Sequence, residues 1–267
     1  MILRLSRAAV VAPFLLAACS DPEASSPSAC STYTTSSSPA SEWLVQATVS
    51  VEGDRAELRA VVVDPDRHRI ELGDARRLEL VSEDEKTVVA ASFAPTATCT
   101  STYVAQTSAA SLGKSVTLRL VDGAETHATS VYVAPTYAVV NVPREVVVGK
   151  DAGLGLDRKF PSIGGAISES WSVMLRGSCL TMTEKDEGEK PYTRALGVGG
   201  NGSAQSTGQM LTFQLPADQL VAGSTGCDVE AAFCSTVTGA LSGDMKALGN
   251  VPLVTRSCTA FTTHVRP

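Results

Sequence analysis

From Trp43 onward, apolar side chains fall at every second position. Val45, Ala47, Val49 and Val51 alternate with polar neighbours, a Glu-Gly-Asp turn follows, and Ala56, Leu58, Ala60 and Val62 take up the same period. Ile70/Leu72, Leu78/Leu80 and Val116/Leu118/Leu120 repeat it, and Val131 and Val133 close the run before Ala134-Pro135. A period of two sends alternate side chains to opposite faces of a strand. Short runs of this kind, punctuated by Gly, Asp and Pro, predict an antiparallel β-sandwich, and residues 43–134 match one immunoglobulin-sized unit.

A second round follows Pro135. The stretch YAVVNVPREVVVGK predicts a strand interrupted at Pro143, and Leu154/Leu156 a short second one. Trp171, Val173 and Leu175 begin a longer strand running toward Cys179 and Met182, Leu211/Phe213/Leu215 form another, and Cys227, Val229, Ala231 and Phe233 alternate with Asp228, Glu230 and Ala232. A last strand spans about residues 251–265. The stretch EDEKTVVAASFA reads as strand rather than helix, because the paired valines and Phe93 favour a pleated surface. The predicted fold is all-β: two tandem Ig-like antiparallel β-sandwich domains, residues 43–134 and 136–267, the second with an insertion at 183–209. The cysteine spacing is not that of antibodies, and no clear tyrosine corner is visible.

Ahead of the first strand the pattern is different. Arg4 and Arg7 precede an apolar run from Ala8 to Leu16, and small residues lead up to Cys19. The run is too short to span a bilayer, which takes ~20 residues, and has the layout of a secretory signal. Leu16-Ala17-Ala18-Cys19 resembles the lipobox of bacterial lipoproteins. The resemblance is confined to the N-terminus. It implies cleavage after residue 18, diacylglycerol on the Cys19 thiol and acylation of the new α-amine, a multi-chain anchor that holds where one chain binds only marginally. It also implies a bacterial cell-envelope location, at the outer membrane if the host has two, since Ser20 and not Asp follows the anchor. Residues 19–42 then form the anchor and a Ser/Thr/Pro-rich tether, too poor in apolar surface to fold alone.

Six further cysteines remain: Cys30, Cys99, Cys179, Cys227, Cys234 and Cys258. An even number in an exported chain reads as a disulfide framework. Cys99 is the single cysteine inside the first module, so Cys30–Cys99 is the simplest pair there; the alternative is a bond from Cys30 to another molecule. In the second module parity puts Cys179 and Cys227 on the inward face, which favours Cys179–Cys227 with Cys234–Cys258. A hairpin centred on Ser242-Gly243 would instead set Cys227 opposite Cys258, and the two arguments compete for the same residue.

Chemistry is sparse. No C-x-x-C occurs, and of His68, His127 and His264 only the last lies near a cysteine, so no zinc site is expected. There is no G-x-S-x-G elbow, SESW (168–171) and GNGS (200–203) read as loops without a neighbouring base, and the Gly-rich run 196–209 lacks a Gly-Lys-Ser/Thr ending. Acidic clusters at 64–69, 82–86 and 184–190 are each interrupted by basic residues and read as solvated turns rather than cation sites. Trp171 reads as core and Trp43 as packed against the tether; aromatic content of 5% is too low for a stacked carbohydrate platform. Losing the two arginines of residues 1–18 moves the formal charge from −6 to −8, which argues against nucleic acid. The expectation is a lipoprotein without catalytic site, cofactor or metal, anchored in the membrane by Cys19 and binding an envelope protein or acting as a spacer. The contact surface expected is the 183–209 insertion. The alternative is a small-ligand or glycan site between the modules, angled by the Ala-Pro-Thr hinge at 134–136.

Overall fold

The alternation that begins at Trp43 becomes a long hairpin whose buried positions are those the pattern marks. The computed structural model describes residues 33–34, 38–73, 75–95, 101–159, 168–180, 195–198, 209–238 and 242–267. Its first half carries β1 (Tyr33–Thr34), β2 (Leu44–Glu52), β3 (Arg55–Val63), β4 (Arg69–Ile70), β5 (Arg76–Ser82), β6 (Val88–Ala90), β7 (Ser92–Pro95), β8 (Ser101–Ser108), β9 (Ser115–Asp122) and β10 (Glu125–Tyr132). Val45, Ala47, Val49 and Val51 of β2 are buried, as are Ala56, Leu58, Ala60 and Val62 of β3. The stretch from Val88 to Pro95 is strand but for Ala91, where β6 and β7 part into different sheets, as its β-branched and aromatic residues predict.

The second half adds β11 (Tyr137–Asn141), β12 (Glu145–Val147), β13 (Asp151–Arg158), β14 (Ser168–Arg176), β15 (Ala195–Val198), β16 (Gln209–Gln214), β17 (Cys227–Thr238), β18 (Ser242–Gly243), β19 (Lys246–Ala247) and β20 (Leu253–Arg266). SESW is thus the beginning of β14, not a loop. The predicted insertion contributes β15, which pairs antiparallel with β14, and Gln209 at the start of β16; its other residues lie outside the described ones. The fold is an all-β sandwich architecture.

Among the described residues three sheets are formed, and one of them backs the other two. The large sheet runs β1-β4-β3-β2-β20-β17-β14-β15, with β8 and β7 added beside β3. Its first part faces the sheet β18-β10-β9-β5-β6 across a core that includes Trp43, Leu58, Ile70, Leu78 and Leu118. Its second part faces β11-β13-β16 across a core that includes Leu154, Leu156, Val173, Phe213 and Phe233. Burying one face of each sheet against another is what makes alternating strands stable in water.

The spine of the molecule is β20, 14 residues long. Along its length it pairs antiparallel with β17, from Thr238↔Val254 to Cys227↔Val265. Its first residues also pair with β2, from Ala47↔Leu253 to Glu52↔Cys258, and this pairing is parallel. A parallel neighbour needs a long connection, which most of the chain supplies here. Leu253 accordingly belongs to the first core and Val265 to the second. The polypeptide crossing from β10 to β12 is pinned to this spine by three threonine hydroxyls: Thr255 donates to Tyr132 O, Thr259 to Tyr137 O and Thr263 to Pro143 O, each at 2.6 Å. The stretch around 134–136 therefore lies against a continuous strand.

Candidate functional site

Cys19, Cys30 and Cys99 lie outside the described residues, so the lipidation site and the Cys30–Cys99 pair are not placed. The second half forms both disulfides favoured by parity, Cys179–Cys227 and Cys234–Cys258. The competing hairpin fails because residues 242–247 pair elsewhere rather than turning β17 into β20. Ser242-Gly243 pairs with β10 and Lys246-Ala247 with β2, and the excursion shifts the β17–β20 register until Cys234 faces Cys258 and Cys227 faces Val265. Gly226, at φ 111°, lets the start of β17 pass close to that partner strand; a Cβ there would sit 2.3 Å from the Val265 carbonyl oxygen. The Cys179 N–H donates to Cys227 Sγ at 3.2 Å.

Cys234–Cys258 lies on the outer face of the large sheet, away from both cores. Register places Glu52 beside Cys258, Ser50 beside Arg256 and Ser172 beside Cys234 on that face. Cys234 is fully buried and Cys258 half-buried. Arg256 Nη2 donates to Met174 Sδ at 2.6 Å and to Cys234 Sγ at 3.3 Å. Burial pulls the pKa of this guanidinium down, against the opposing influence of Glu52.

Inside the second sandwich the structure assembles a polar cluster that no sequence motif announces. Glu169 is on β14 in the same parity as Trp171 and Val173, and only 11% of its side chain is exposed. Its Oε1 accepts from Tyr137 Oη (2.8 Å), Trp171 Nε1 (2.6 Å) and Ser235 Oγ (2.8 Å), and Arg158 Nη2 lies 3.6 Å from Oε2. Tyr137, Trp171 and Phe233 pack edge-to-face around it. Burial, then the negative charge of Glu169, pushes the Tyr137 hydroxyl well above its ordinary pKa. The carboxylate gathers donors from three strands and a neighbouring cation, an arrangement that braces the sandwich. A signal was available: an acid sharing the inward parity of Trp171 must be paired to be buried.

The acidic run at 64–69 does converge. Asp64, Asp66 and His68 bring one ligand atom each within 4.8 Å of one another. Asp64 is already committed, however: Oδ1 accepts the His68 N–H at 2.8 Å, Oδ2 meets His68 Nδ1 at 3.2 Å, and its backbone closes the turn to Arg67 and His68. At 82–86 the same economy holds, with Asp84 accepting from Ser82 Oγ and from the Lys86 N–H. Those two hydrogen bonds hold the Asp84 carboxyl at about 2. The cluster at 184–190 lies outside the described residues.

His127 pairs with Asp244 (3.1 Å) and His264 with Asp228 (2.8 Å). The first pair borders a small pocket lined by Trp43, Leu120, Met245 and Lys246. That pocket lies between the first sandwich and the β18–β19 segment, not between the two cores. Trp43 is only 1% exposed, so it belongs to the first core; its Nε1 donates to Ser38 Oγ at 2.9 Å, and the Arg76 guanidinium lies 4.8 Å from the ring centroid.

No family model matches the chain, and no curated protein matches it in sequence. Among the solved structures it resembles are an Escherichia coli α2-macroglobulin and a titin fragment of three Ig domains. Against an α2-macroglobulin from Escherichia coli activated by porcine elastase, the TM-score is 0.28 at 6% identity, covering 84% of this chain. The chain spans 20% of the length of that macroglobulin. Against a three-Ig fragment of titin the TM-score is 0.22 at 14% identity, covering 84% of this chain and 62% of the fragment.

Proposed function

We propose that this protein is an exported lipoprotein of the bacterial cell envelope. Diacylglycerol on Cys19 holds it at the membrane, residues 20–32 tether it ahead of β1, which pairs with β4, and its sandwiches act without catalysis by binding another envelope protein or spacing one from the membrane. The observation that carries the reading is the run Leu16-Ala17-Ala18-Cys19 behind Arg4 and Arg7. The disulfides Cys179–Cys227 and Cys234–Cys258 support it, because such bonds persist in oxidising, extracytoplasmic compartments. Loops at the ends of the sandwiches and the exposed strand edges are the natural contact surfaces. The residues of 183–209 remain our first choice among them. The pocket beside Trp43 and His127 lies away from the junction of the two cores, where the small-ligand alternative would need its site.

The test is expression in a bacterial host fed an alkyne fatty acid, followed by fractionation. Label on the protein and recovery with membranes, both abolished in Cys19→Ser, are the expected outcome. Unlabelled protein, or equal membrane recovery of the variant, would refute the anchor. Capture from solubilised envelope on immobilised protein then tests the binding role: one protein retained specifically, and lost when 183–209 is deleted, supports it. No specific retention would turn the search to glycans and small ligands.

A further inference from the structure

We propose that Cys234–Cys258 is a thiol-exchange site, opened by a protein dithiol that attacks Cys258 Sγ and expels Cys234 as a thiolate beside Arg256. Exchange proceeds when a thiolate reaches one sulfur and the other departs as an anion, so access and anion stabilisation must fall on opposite sulfurs. Here they do. Cys258 is the half-buried partner, flanked on the outer face by exposed Glu52 and, two residues on, exposed Ala260. Cys234 is fully buried, and the Arg256 guanidinium donates to its Sγ at 3.3 Å. A neighbouring cation favours the thiolate, whereas Glu52 disfavours one at Cys258.

The other bond has the opposite arrangement. In Cys179–Cys227 the half-buried sulfur, Cys227, carries the backbone donor, while Cys179 is 5% exposed and would have to leave without it. Attack at the reachable sulfur thus expels the unsupported one. The two disulfides differ in chemistry although both join strands of the same half.

The reaction balances as an exchange. The partner's first thiolate bonds to Cys258 Sγ, the Sγ–Sγ bond breaks, and its electron pair leaves on Cys234. The partner's second thiol, deprotonated, then attacks its own first sulfur and releases Cys258. The partner is oxidised to a disulfide, and Cys234 and Cys258 are reduced by two electrons and take up two protons. The bond is placed where β20 parts from β2, at Glu52↔Cys258, the last pair of the parallel register. Its opening removes the covalent tie between β17 and β20 at the level where the two cores meet.

The test uses the full chain, folded, with dithiothreitol as the dithiol and timed alkylation read by peptide mass spectrometry. Cys234 and Cys258 should become alkylated about tenfold sooner than Cys179 and Cys227. With glutathione in place of dithiothreitol, the trapped mixed disulfide should sit on Cys258. Arg256→Gln should slow opening several-fold and Arg256→Lys should restore most of the rate. Equal or earlier opening of Cys179–Cys227, a glutathione adduct on Cys234, or an unchanged rate in R256Q would each overturn the proposal. The adduct position is read on the unsubstituted protein and so stands even where R256Q folds poorly.

Discussion

Replacing Glu169 with alanine tests the polar brace of the second sandwich. The substitution removes an acceptor that takes hydrogen bonds from Tyr137, Trp171 and Ser235 and lies 3.6 Å from Arg158. Each bond to a charged acceptor contributes about 1.5–3 kcal/mol, but the donors share one oxygen and cannot count in full. The larger effect is what remains: Ser235, fully buried, loses its acceptor, and Arg158, whose side chain is 15% exposed, loses the Glu169 carboxylate 3.6 Å away. Removing one partner of a buried charge pair costs about 3–5 kcal/mol, and ~4 kcal/mol is the value we expect. For a folded unit of this size that lowers the thermal midpoint by about 8–16 °C. Trp171 donates directly to Glu169, so its fluorescence reports the same event, and urea unfolding gives the free energy. Glu169→Gln keeps an oxygen for the three donors but removes the charge beside Arg158, so it should lose less than E169A without restoring the full stability. A destabilisation below about 1 kcal/mol for E169A would refute the brace, since that is the ordinary effect of a surface substitution.

Trp43→Ala empties a fully buried site in the first core and should cost about 3–5 kcal/mol in urea unfolding. Burial opposes ionisation of Glu79, but hydrogen bonds from Arg77 and Arg119 outweigh it and hold its pKa below the ordinary value. A lowered folded pKa stabilises above the unfolded value and is lost as pH falls through the folded one. Urea midpoints should therefore drop as pH is taken below about 4, and Glu79→Gln should flatten that limb. Thr255→Val keeps the shape of a fully buried residue but strands the Tyr132 carbonyl, for a loss of about 1–3 kcal/mol by thermal unfolding. Cys179→Ala with Cys227→Ala opens a crosslink of sequence separation 48, and the chain-entropy account puts the loss at ~4 kcal/mol in the urea midpoint.

Strand identity was legible wherever one face is buried and the other wet. Val45 to Val51 and Val229 to Phe233 show it, because the alternation of side chains is itself the burial pattern. The disulfide pairing was only half legible: parity pointed to Cys179–Cys227, while a hairpin centred on Ser242-Gly243 claimed Cys227 for Cys258. The role of β20 was not legible: nothing local in LVTRSCTAFTTHVR distinguishes a strand serving one sheet partner from one joining two cores, and its parallel pairing with β2 arises from contacts some 200 residues apart in sequence. The false hairpin at Ser242-Gly243 has the same origin, since that dipeptide is held by β10 rather than by its chain neighbours. Glu169 was hidden by company: SESW draws the eye to its serines, whereas the informative feature is an acid in register with a tryptophan.

The measurement nearest the central claim is intact mass and N-terminal peptide analysis of the protein isolated from bacterial membranes. The account predicts a mature chain beginning at Cys19, lacking residues 1–18 and carrying diacylglycerol on its thiol. A chain that keeps residues 1–18, or one whose Cys19 thiol is free, would contradict it.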